Sequence, residues 1–216
     1  MKILITGSSG FIGFHLSKLL LEKGNNVHGI DSINNYYDVK LKKARLKILK
    51  KYKNFSFSKA RLEDDKKIKI IFKKFKPKIV IHLAAQAGVR YSIDKPRVYL
   101  KSNINGTFNV IESSHIIKAK HLIMASSSSV YGANKKIPFK EIDKTDTQLS
   151  IYAATKKANE SMAHSYSNIW KIPITMLRFF TVYGPWGRPD MALFKFTKGI
   201  LKNKKIDIYN YGKMYR

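Results

Sequence analysis

An apolar run at the start of the chain leads directly into three glycines spaced three residues apart. Lys2–Ile5 is followed by Gly7, Gly10 and Gly13, and an amphipathic stretch begins at Phe11. Glycines between a strand and a helix allow a tight turn, close approach of a pyrophosphate and close helix–strand packing, and the helix N-terminus attracts the anion. This order predicts the first strand, turn and helix of a dinucleotide-binding sheet, with a purely structural glycine turn as the alternative.

The same alternation of short apolar runs and longer, lysine-rich amphipathic stretches continues along the chain. The runs predicted as strands are Lys2–Ile5, Val27–Ile30, Phe55–Ser58, Ile79–Leu83, His121–Ala125 and Ile174–Leu177. The stretches predicted as helices are Phe11–Lys23, Asp38–Lys51, Lys66–Phe75, Arg97–Lys118 and Tyr152–Ile169. Strands that alternate with helices form a parallel sheet covered on both faces. We therefore predict an α/β fold, a Rossmann-like doubly wound parallel sheet with helices on both faces and loops at Lys135–Leu149 and Pro185–Pro189.

Two further segments follow predicted strands, at the edge of the sheet where a cofactor would lie. Asp31 ends the second strand 18 residues after Gly13, where an acid binds the ribose 2′-hydroxyl and repels a 2′-phosphate. We therefore expect NAD rather than NADP. Leu83, Ala84 and Ala85 follow the fourth strand, where small residues let the backbone lie against a cofactor. Ordinary helix–sheet packing explains these three residues equally well.

The spacing Tyr-x-x-x-Lys occurs five times, and its setting selects one copy. Residues four apart share one face of a helix, so Tyr152 and Lys156 place a phenol beside an ammonium, which favours the phenolate and gives a base near neutral pH. This pair follows a strand-end cluster of hydroxyls, Ser126–Ser129, and a helix cap, Ser150. The other copies begin at Tyr36, Tyr91, Tyr131 and Tyr209 and lack that setting. We predict Tyr152 and Lys156 as the catalytic pair.

Composition excludes several classes of function. The chain contains no cysteine, so it has no disulfide, no thiolate metal site and no cysteine nucleophile, and its six histidines lack the spacing of metal ligands. No stretch approaches the roughly 20 apolar residues of a membrane span. We therefore expect a cytoplasmic protein without a metal site.

The formal charge of +28 raises the alternative of a nucleic-acid-binding module. Of the 42 basic residues seven are arginine, the side chain that phosphate forks and guanine contacts favour. The lysines spread over helical and loop positions that we expect to face water. We therefore predict no specific nucleic-acid partner, and only a loose attraction to polyanions that fades with salt.

Taken together, these motifs resemble the extended short-chain dehydrogenase/reductase family, the NAD-dependent epimerases and dehydratases. The likeness runs over essentially the whole chain and is strongest to the UDP-glucuronate 4-epimerase (CapI-like) branch. Its motifs are TGSSGFIG, Asp31 with the seven residues after it, His82–Ser92, SSSSVYG, Tyr152–Glu160 and Leu177–Met191. The cofactor-binding residues that the resemblance implies are Gly7, Gly10, Phe11, Ile12, Gly13, Asp31, Asn34, Leu83, Ala84, Ala85, Asn103, Tyr152 and Lys156.

The resemblance implies a C4 epimerisation of UDP-glucuronate to UDP-galacturonate through a 4-keto intermediate. Tyr152, supported by Lys156 and Ser127, takes the proton of the sugar 4-hydroxyl while hydride passes to NAD. The residues that match the family's carboxylate contacts are Ser128, Ser129, Thr181 and Arg188. Related dehydratases and decarboxylases carry acids where this chain has Ser128 and Ser129, which favours epimerisation. The alternatives are another UDP-sugar epimerase, a decarboxylase, or an inactive NAD-binding fragment.

The chain departs from the family pattern in two places. Arg61 stands where relatives carry an aspartate that contacts the adenine, which implies weaker cofactor binding. The sequence from Tyr211 resembles the point where the family continues into a substrate-binding region. We therefore divide the chain into an NAD-binding domain with the catalytic residues, 1–190, and the start of a largely missing substrate domain, 191–216. A full-length form is expected to be a homodimer, paired through the helices at Arg97–Lys118 and Tyr152–Ile169.

Overall fold

The computed structural model describes residues 1–213, so the last three residues of the predicted substrate domain lie outside the described residues. The chain forms one six-stranded sheet in which all paired strands are parallel, in the order β3-β2-β1-β4-β5-β6. The strands are β1 (Lys2–Thr6), β2 (Asn26–Asp31), β3 (Phe55–Lys59), β4 (Ile79–His82), β5 (His121–Ser127) and β6 (Ile174–Phe179). All six predicted strands are confirmed. The reversal of strand order beside β1 is the switch point at which doubly wound sheets bind their ligands.

At least one helix lies in each of the five connections between successive strands. They are α1 (Phe11–Glu22), α2 (Val39–Leu49), α3 (Asp65–Phe75), α4 (Val89–Asp94), α5 (Pro96–Tyr99), α6 (Gly106–Ile116), α7 (Ile151–Trp170) and α8 (Ala192–Leu201). The predicted helices at α1, α2, α3 and α7 are confirmed within two residues at each end. The short α4 and the C-terminal α8 were not predicted.

The predicted single helix Arg97–Lys118 is wrong in its middle. The structure has α5, then a π-helical stretch at Leu100–Asn105, then α6. This π-helical stretch contains Asn103, which is fully buried. The side chain of Asn103 makes two hydrogen bonds with the backbone of Gln86, accepting one and donating the other. Insertions of this kind into a helix often lie at functional sites.

The core is divided between the two faces of the sheet. Along β1, Leu4 belongs to the cluster beneath α3, α6 and α7, whereas Ile3 and Ile5 belong to the cluster beneath α1 and α2. Successive side chains of a strand point to opposite faces, so a strand that is apolar on both sides requires helices on both sides. The predicted Rossmann-like doubly wound sheet is therefore confirmed.

The surface carries the positive charge. Apart from Lys42 and Lys156, every lysine in residues 1–213 is partly or fully exposed, as predicted. None of the helices in this described part of the chain combines the length and the apolar character that crossing a membrane requires.

Candidate active site

The glycine turn after β1 is packed so closely that side chains are excluded. Gly7 has a φ of +76°, and a Cβ there would lie 2.9 Å from the backbone nitrogen of Ala84. A Cβ on Gly13 would lie 2.1 Å from the carbonyl oxygen of Gly7. Helix α1 begins immediately after Gly10 without a side-chain cap, so its first N–H groups can serve an anion. The turn has the shape that a pyrophosphate requires.

Asp31 lies at the end of β2, beside this turn. Its carboxylate accepts hydrogen bonds from the backbone nitrogens of Ser9 (3.1 Å) and Ile33 (2.8 Å). Burial raises the pKa of Asp31, although these two hydrogen bonds and the charges of Lys42 and Arg45 oppose the rise. The carboxylate is thus oriented by the turn itself.

The other predicted cofactor residues around the turn differ in how far they are buried. Phe11 is buried and Ile12 is half-buried. The backbone nitrogen of Leu83 donates to the backbone oxygen of Thr6 at 3.3 Å, and that of Ala84 donates to the Thr6 hydroxyl at 3.1 Å. Ala85 is half-buried in the segment that follows. These positions put backbone, rather than large side chains, at the edge of the sheet.

Two predicted cofactor residues, Asn34 and Asn103, are already engaged within the protein. The side-chain oxygen of Asn34 accepts a hydrogen bond of 2.5 Å from Nζ of Lys42. The side chain of Asn103 binds the backbone nitrogen and oxygen of Gln86 (2.7 and 3.0 Å) and the hydroxyl of Thr155 (3.1 Å). Asn103 therefore holds the segment after β4 against α7, and a direct contact of either asparagine with a cofactor stays a prediction.

Helix α7 begins beside the end of β5 and brings Tyr152 to Ser127. The hydroxyl of Ser150 caps the helix by accepting from the nitrogen of Ala153 at 3.1 Å, as predicted. Ser126 and Ser127 are the last two residues of the strand rather than part of the loop after it. Burial raises the pKa of Tyr152, and a hydrogen bond with Ser127 and the charge of Arg188 oppose that rise. The structure thus groups Tyr152, Ser127 and Arg188 at the carboxyl end of β5.

Lys156 lies one turn further along α7 and is buried. Its Nζ donates to the carbonyl oxygen of Ala125 at 2.8 Å, and burial lowers its pKa to about 8. The positive charge that lowers the pKa of Tyr152 comes from Arg188. The predicted effect of Lys156 on the phenol stays a prediction.

The other Tyr-x-x-x-Lys copies do not share this arrangement. Tyr36 precedes α2, Tyr91 lies in α4 but Lys95 lies beyond its end, and Tyr131 ends a short 3-10 turn. Tyr152 and Lys156 lie together within one long helix.

The predicted substrate residues lie at the ends of β5 and β6. Ser128 and Ser129 begin the 3-10 turn after β5, where the nitrogen of Ser129 donates to Oγ of Ser127 at 3.2 Å. Thr181 follows β6 and is exposed. Arg188 forms a double hydrogen bond with Asp190, from Nε at 3.0 Å and from Nη2 at 2.5 Å. The arginine is therefore held in place before any ligand arrives.

Two further groups escaped the sequence prediction. Glu160 accepts from Oγ of Ser126 (2.5 Å) and makes a double ion pair with Arg178 on β6 (3.0 Å each). Arg45 on α2 is fully buried and bonds to three separate turns. Glu160 stood inside a recognised motif, whereas Arg45 resembled one more surface cation of a basic helix. Within residues 1–213 no group of three or more His, Asp or Glu side chains is placed to hold a metal ion.

Comparison with known proteins agrees with this geometry. Residues 3–216 match the NAD dependent epimerase/dehydratase family. Protein CapI of Staphylococcus aureus is 57% identical over 216 residues, which are all of this chain and 64% of CapI. A probable UDP-glucuronate 4-epimerase of Rhizobium meliloti is 51% identical over the whole chain and 63% of that protein.

Among solved structures, UDP-glucuronic acid 4-epimerase from Bacillus cereus, in complex with UDP-glucuronic acid and NAD, superimposes with a TM-score of 0.90. It is 36% identical, and the match covers 97% of this chain and 66% of the other. This chain thus spans 64% and 63% of the length of the two curated relatives described above. The sequence match, the sheet order and the glycine turn agree: the chain belongs to the NAD dependent epimerase/dehydratase family.

Proposed function

We propose that this chain provides the NAD-binding and catalytic part of a UDP-glucuronate 4-epimerase, which interconverts UDP-glucuronate and UDP-galacturonate. The observation that carries the proposal is the grouping of Tyr152 with Ser127 and Arg188 at the edge of the sheet that also bears the glycine turn. A relative with that activity in its name is 51% identical.

The residues around the glycine turn fit NAD. Because Gly7 and Gly13 carry no side chains, a pyrophosphate can approach the backbone of the turn closely. Asp31 lies beside the turn, where its carboxylate can accept a hydrogen bond from a ribose hydroxyl. The hydroxyls of Ser8 and Ser9 are buried and, among the described residues, have no hydrogen-bond partner, so a ligand can satisfy them. When bound, NAD supplies a hydride acceptor and donor for C4 of the sugar.

Tyr152 is the proposed base. Its phenolate takes the proton of the 4-hydroxyl and later returns it, and the hydroxyl of Ser127 shares that hydrogen bond. The charge of Arg188 favours the phenolate, which partly offsets the effect of burial on the pKa of Tyr152. Lys156, buried below the tyrosine on the same helix, is proposed to support the cofactor and the phenolate.

The oxidised uronic acid is a β-keto acid, which loses carbon dioxide unless its carboxylate is held in an unfavourable orientation. We assign Ser128, Ser129, Thr181 and Arg188 to hold that carboxylate. The chain has hydroxyls at 128 and 129 and therefore lacks an acid there that would transfer a proton in an elimination. This composition favours epimerisation over dehydration.

Activity should be measured on this chain alone and on a fusion to the C-terminal third of CapI. We expect NAD to be released from the denatured protein and the fusion to exchange the two UDP-uronates, as separated by chromatography. Tyr152→Phe should lower the rate about 1,000-fold, which corresponds to about 4 kcal/mol. Tyr52→Phe is the control, since its hydroxyl binds Glu22 far from the site.

Other outcomes would redirect the proposal. Released carbon dioxide would indicate a decarboxylase, and preference for UDP-glucose would indicate a neutral-sugar epimerase. A folded fusion that binds NAD and exchanges neither uronate would contradict the proposed reaction.

We also propose a cytoplasmic homodimer paired through α6 and α7. The absence of cysteine fits a reducing compartment. These helices expose an aromatic group in which Tyr166 lies 4.3 Å from Trp170 and 5.9 Å from Phe108 between ring centroids. Trp170→Glu should convert the dimer to a monomer in light scattering, and an unchanged mass would contradict this pairing.

A further inference from the structure

Arg45 is a fully buried cation whose hydrogen bonds go mainly to backbone carbonyls of distant turns. Its Nη1 donates to the carbonyl oxygen of Ser9 at 3.1 Å and to the hydroxyl of Tyr37 at 2.8 Å. Its Nη2 donates to the carbonyl oxygens of Trp186 and, at 3.2 Å, of Gly187. One planar guanidinium thus joins three segments that are far apart in the sequence.

These segments belong to the two halves of the proposed site. Ser9 lies within the glycine turn, and its nitrogen donates to Asp31 at 3.1 Å. Trp186 and Gly187 form the turn that carries Arg188, which is tied to Asp190. Arg45 therefore connects the glycine turn of the proposed cofactor site to the two residues that precede Arg188.

The turn at 184–188 has few other fixed points. Trp186 has a φ of +60°, which is unusual for a residue with a large side chain. Its ring contacts Phe14 at a centroid distance of 5.6 Å, and His15 bonds to the carbonyl oxygen of Pro185 at an exposed position. The guanidinium is the contact that fixes the backbone of the turn from a buried position.

We propose that Arg45 is a positioning residue that couples cofactor binding at the glycine turn to the placement of the turn that carries Arg188. The inference rests on the proposed function, because it assumes that NAD binds at the glycine turn. NAD would fix Ser9 and Asp31, and the double donation of Arg45 would then restrain Trp186 and Gly187. Because such coupling is reciprocal, a ligand that orders the 184–188 turn would tighten NAD by the same factor, on the order of 10-fold.

Trp186 provides a direct reading of this coupling, because the chain contains two tryptophans. In a Trp170→Phe background, NAD should change the emission of Trp186. In the same background, Arg45→Lys and Arg45→Met should bind NAD by calorimetry but lose the emission change, since neither side chain can bridge the two turns. Lys42→Met is the matched control: Lys42 is a buried cation one turn earlier on α2, but it bonds to Asn34 and should keep the response at saturating NAD.

A second measurement needs no substitution at Arg45 and covers the case in which its variants fail to fold. Hydrogen exchange of the otherwise unmodified chain should slow about 10-fold or more at residues 184–188 when NAD is added. The amide of Gly187, which donates to the carbonyl oxygen of Gly184 at 3.0 Å, is the most informative position.

The outcomes separate this inference from the proposed function. NAD binding that leaves exchange at 184–188 unchanged overturns the coupling while the proposed cofactor site stands. An emission change that persists in folded Arg45 variants also overturns it, because the signal would then pass through Phe14 or the ligand itself. Failure of the chain to bind NAD at all would contradict both.

Discussion

Helices α3 and α8 have similar lengths and each carries an apolar side, yet they are buried to opposite degrees. In α3, Ile68 and Phe72 are 0% exposed. In α8, Leu193 is 60% and Ile200 66% exposed, and none of its residues is buried. Helix α3 packs on the sheet beside α6, whereas no residue of α8 is buried by the rest of residues 1–213. An amphipathic sequence therefore specifies a helix but not whether its apolar face is covered.

The residues of the proposed site also differ in whether they lie in the packed region or in the exposed one. The glycine turn, Asp31, Ser127 and Tyr152 stand on strands and helices of the packed region. Thr181 is exposed after β6, and Arg188 lies partly exposed in the turn that follows it. The proposed cofactor site is thus built on the core, whereas the turn of Arg188 is held by individual side chains such as Arg45 and Asp190.

The sharpest test of this contrast compares two phenylalanines. Phe72→Ala should lower the free energy of unfolding by about 3–5 kcal/mol, because it leaves a cavity in the core. Phe196→Ala on α8, where the side chain is 41% exposed, should cost less than about 1 kcal/mol. Urea denaturation measures both. An equal cost for both variants would show that α8 is covered in solution.

A second comparison uses two lysines and pH. Burial lowers the pKa of Lys156 from 10.5 to about 8, so the unfolded chain binds a proton between these values that the folded protein does not. The free energy of unfolding should therefore rise between pH 8 and 10, by roughly 3 kcal/mol. Lys156→Met should remove the part of the rise that Lys156 contributes, leaving any part from Lys42, whose pKa burial also lowers. Lys198→Met on exposed α8 should leave the rise intact. Urea titrations of nucleotide-free protein at several pH values measure it, and a flat profile for the unmodified chain would contradict it.

The sequence was sufficient for features that depend on local pattern. Each strand contains a short run rich in apolar residues, so its position could be predicted within two residues. Tyr152 could be selected because its cap, Ser150, and its partner, Ser127, stand in segments with recognisable signals. The glycine turn could be read because its spacing reflects backbone contacts that exclude side chains.

Features that depend on distant partners could not be predicted. The π-helical stretch follows from Asn103 bonding to Gln86, 17 residues away in the chain, and its composition does not distinguish it from ordinary helix. Arg45 donates to the carbonyl oxygens of Ser9 and Gly187, which are 36 and 142 residues away in the chain. Its burial could not be predicted, because its neighbours in the lysine-rich helix α2 suggest an exposed cation. A ligand contact of Arg188 stays a prediction, and its pairing with Asp190 required the structure.

The boundary between the two regions offers a test of intermediate size. Glu160 on α7 pairs with Arg178 on β6. Burial raises the pKa of Glu160, but its hydrogen bonds with Arg178 and Ser126 lower it overall. Its contribution is thus complete above the unfolded pKa and is lost as pH falls through the folded pKa.

Glu160→Gln should therefore cost about 2 kcal/mol at pH 7, and the difference from the unmodified chain should shrink below about pH 4. Glu63→Gln is the control, because its partner Arg61 is mostly exposed and such pairs contribute little. A cost for Glu160→Gln that does not change with pH would assign the effect to packing rather than charge.

The smallest effect is expected at the start of α7, which carries Tyr152, the proposed base. The hydroxyl of Ser150 accepts from the nitrogen of Ala153 and so fixes the first turn of α7, which carries Tyr152. Ser150→Ala should cost about 1 kcal/mol in urea denaturation and speed amide exchange in that turn, whereas Ser150→Asp should restore both. Ser165→Ala, on the exposed side of the same helix, should change stability by less than about 0.5 kcal/mol. If Ser150→Ala leaves exchange at Tyr152 unchanged, the core beneath α7 alone fixes the tyrosine, and the packed region positions this proposed base without help from the cap.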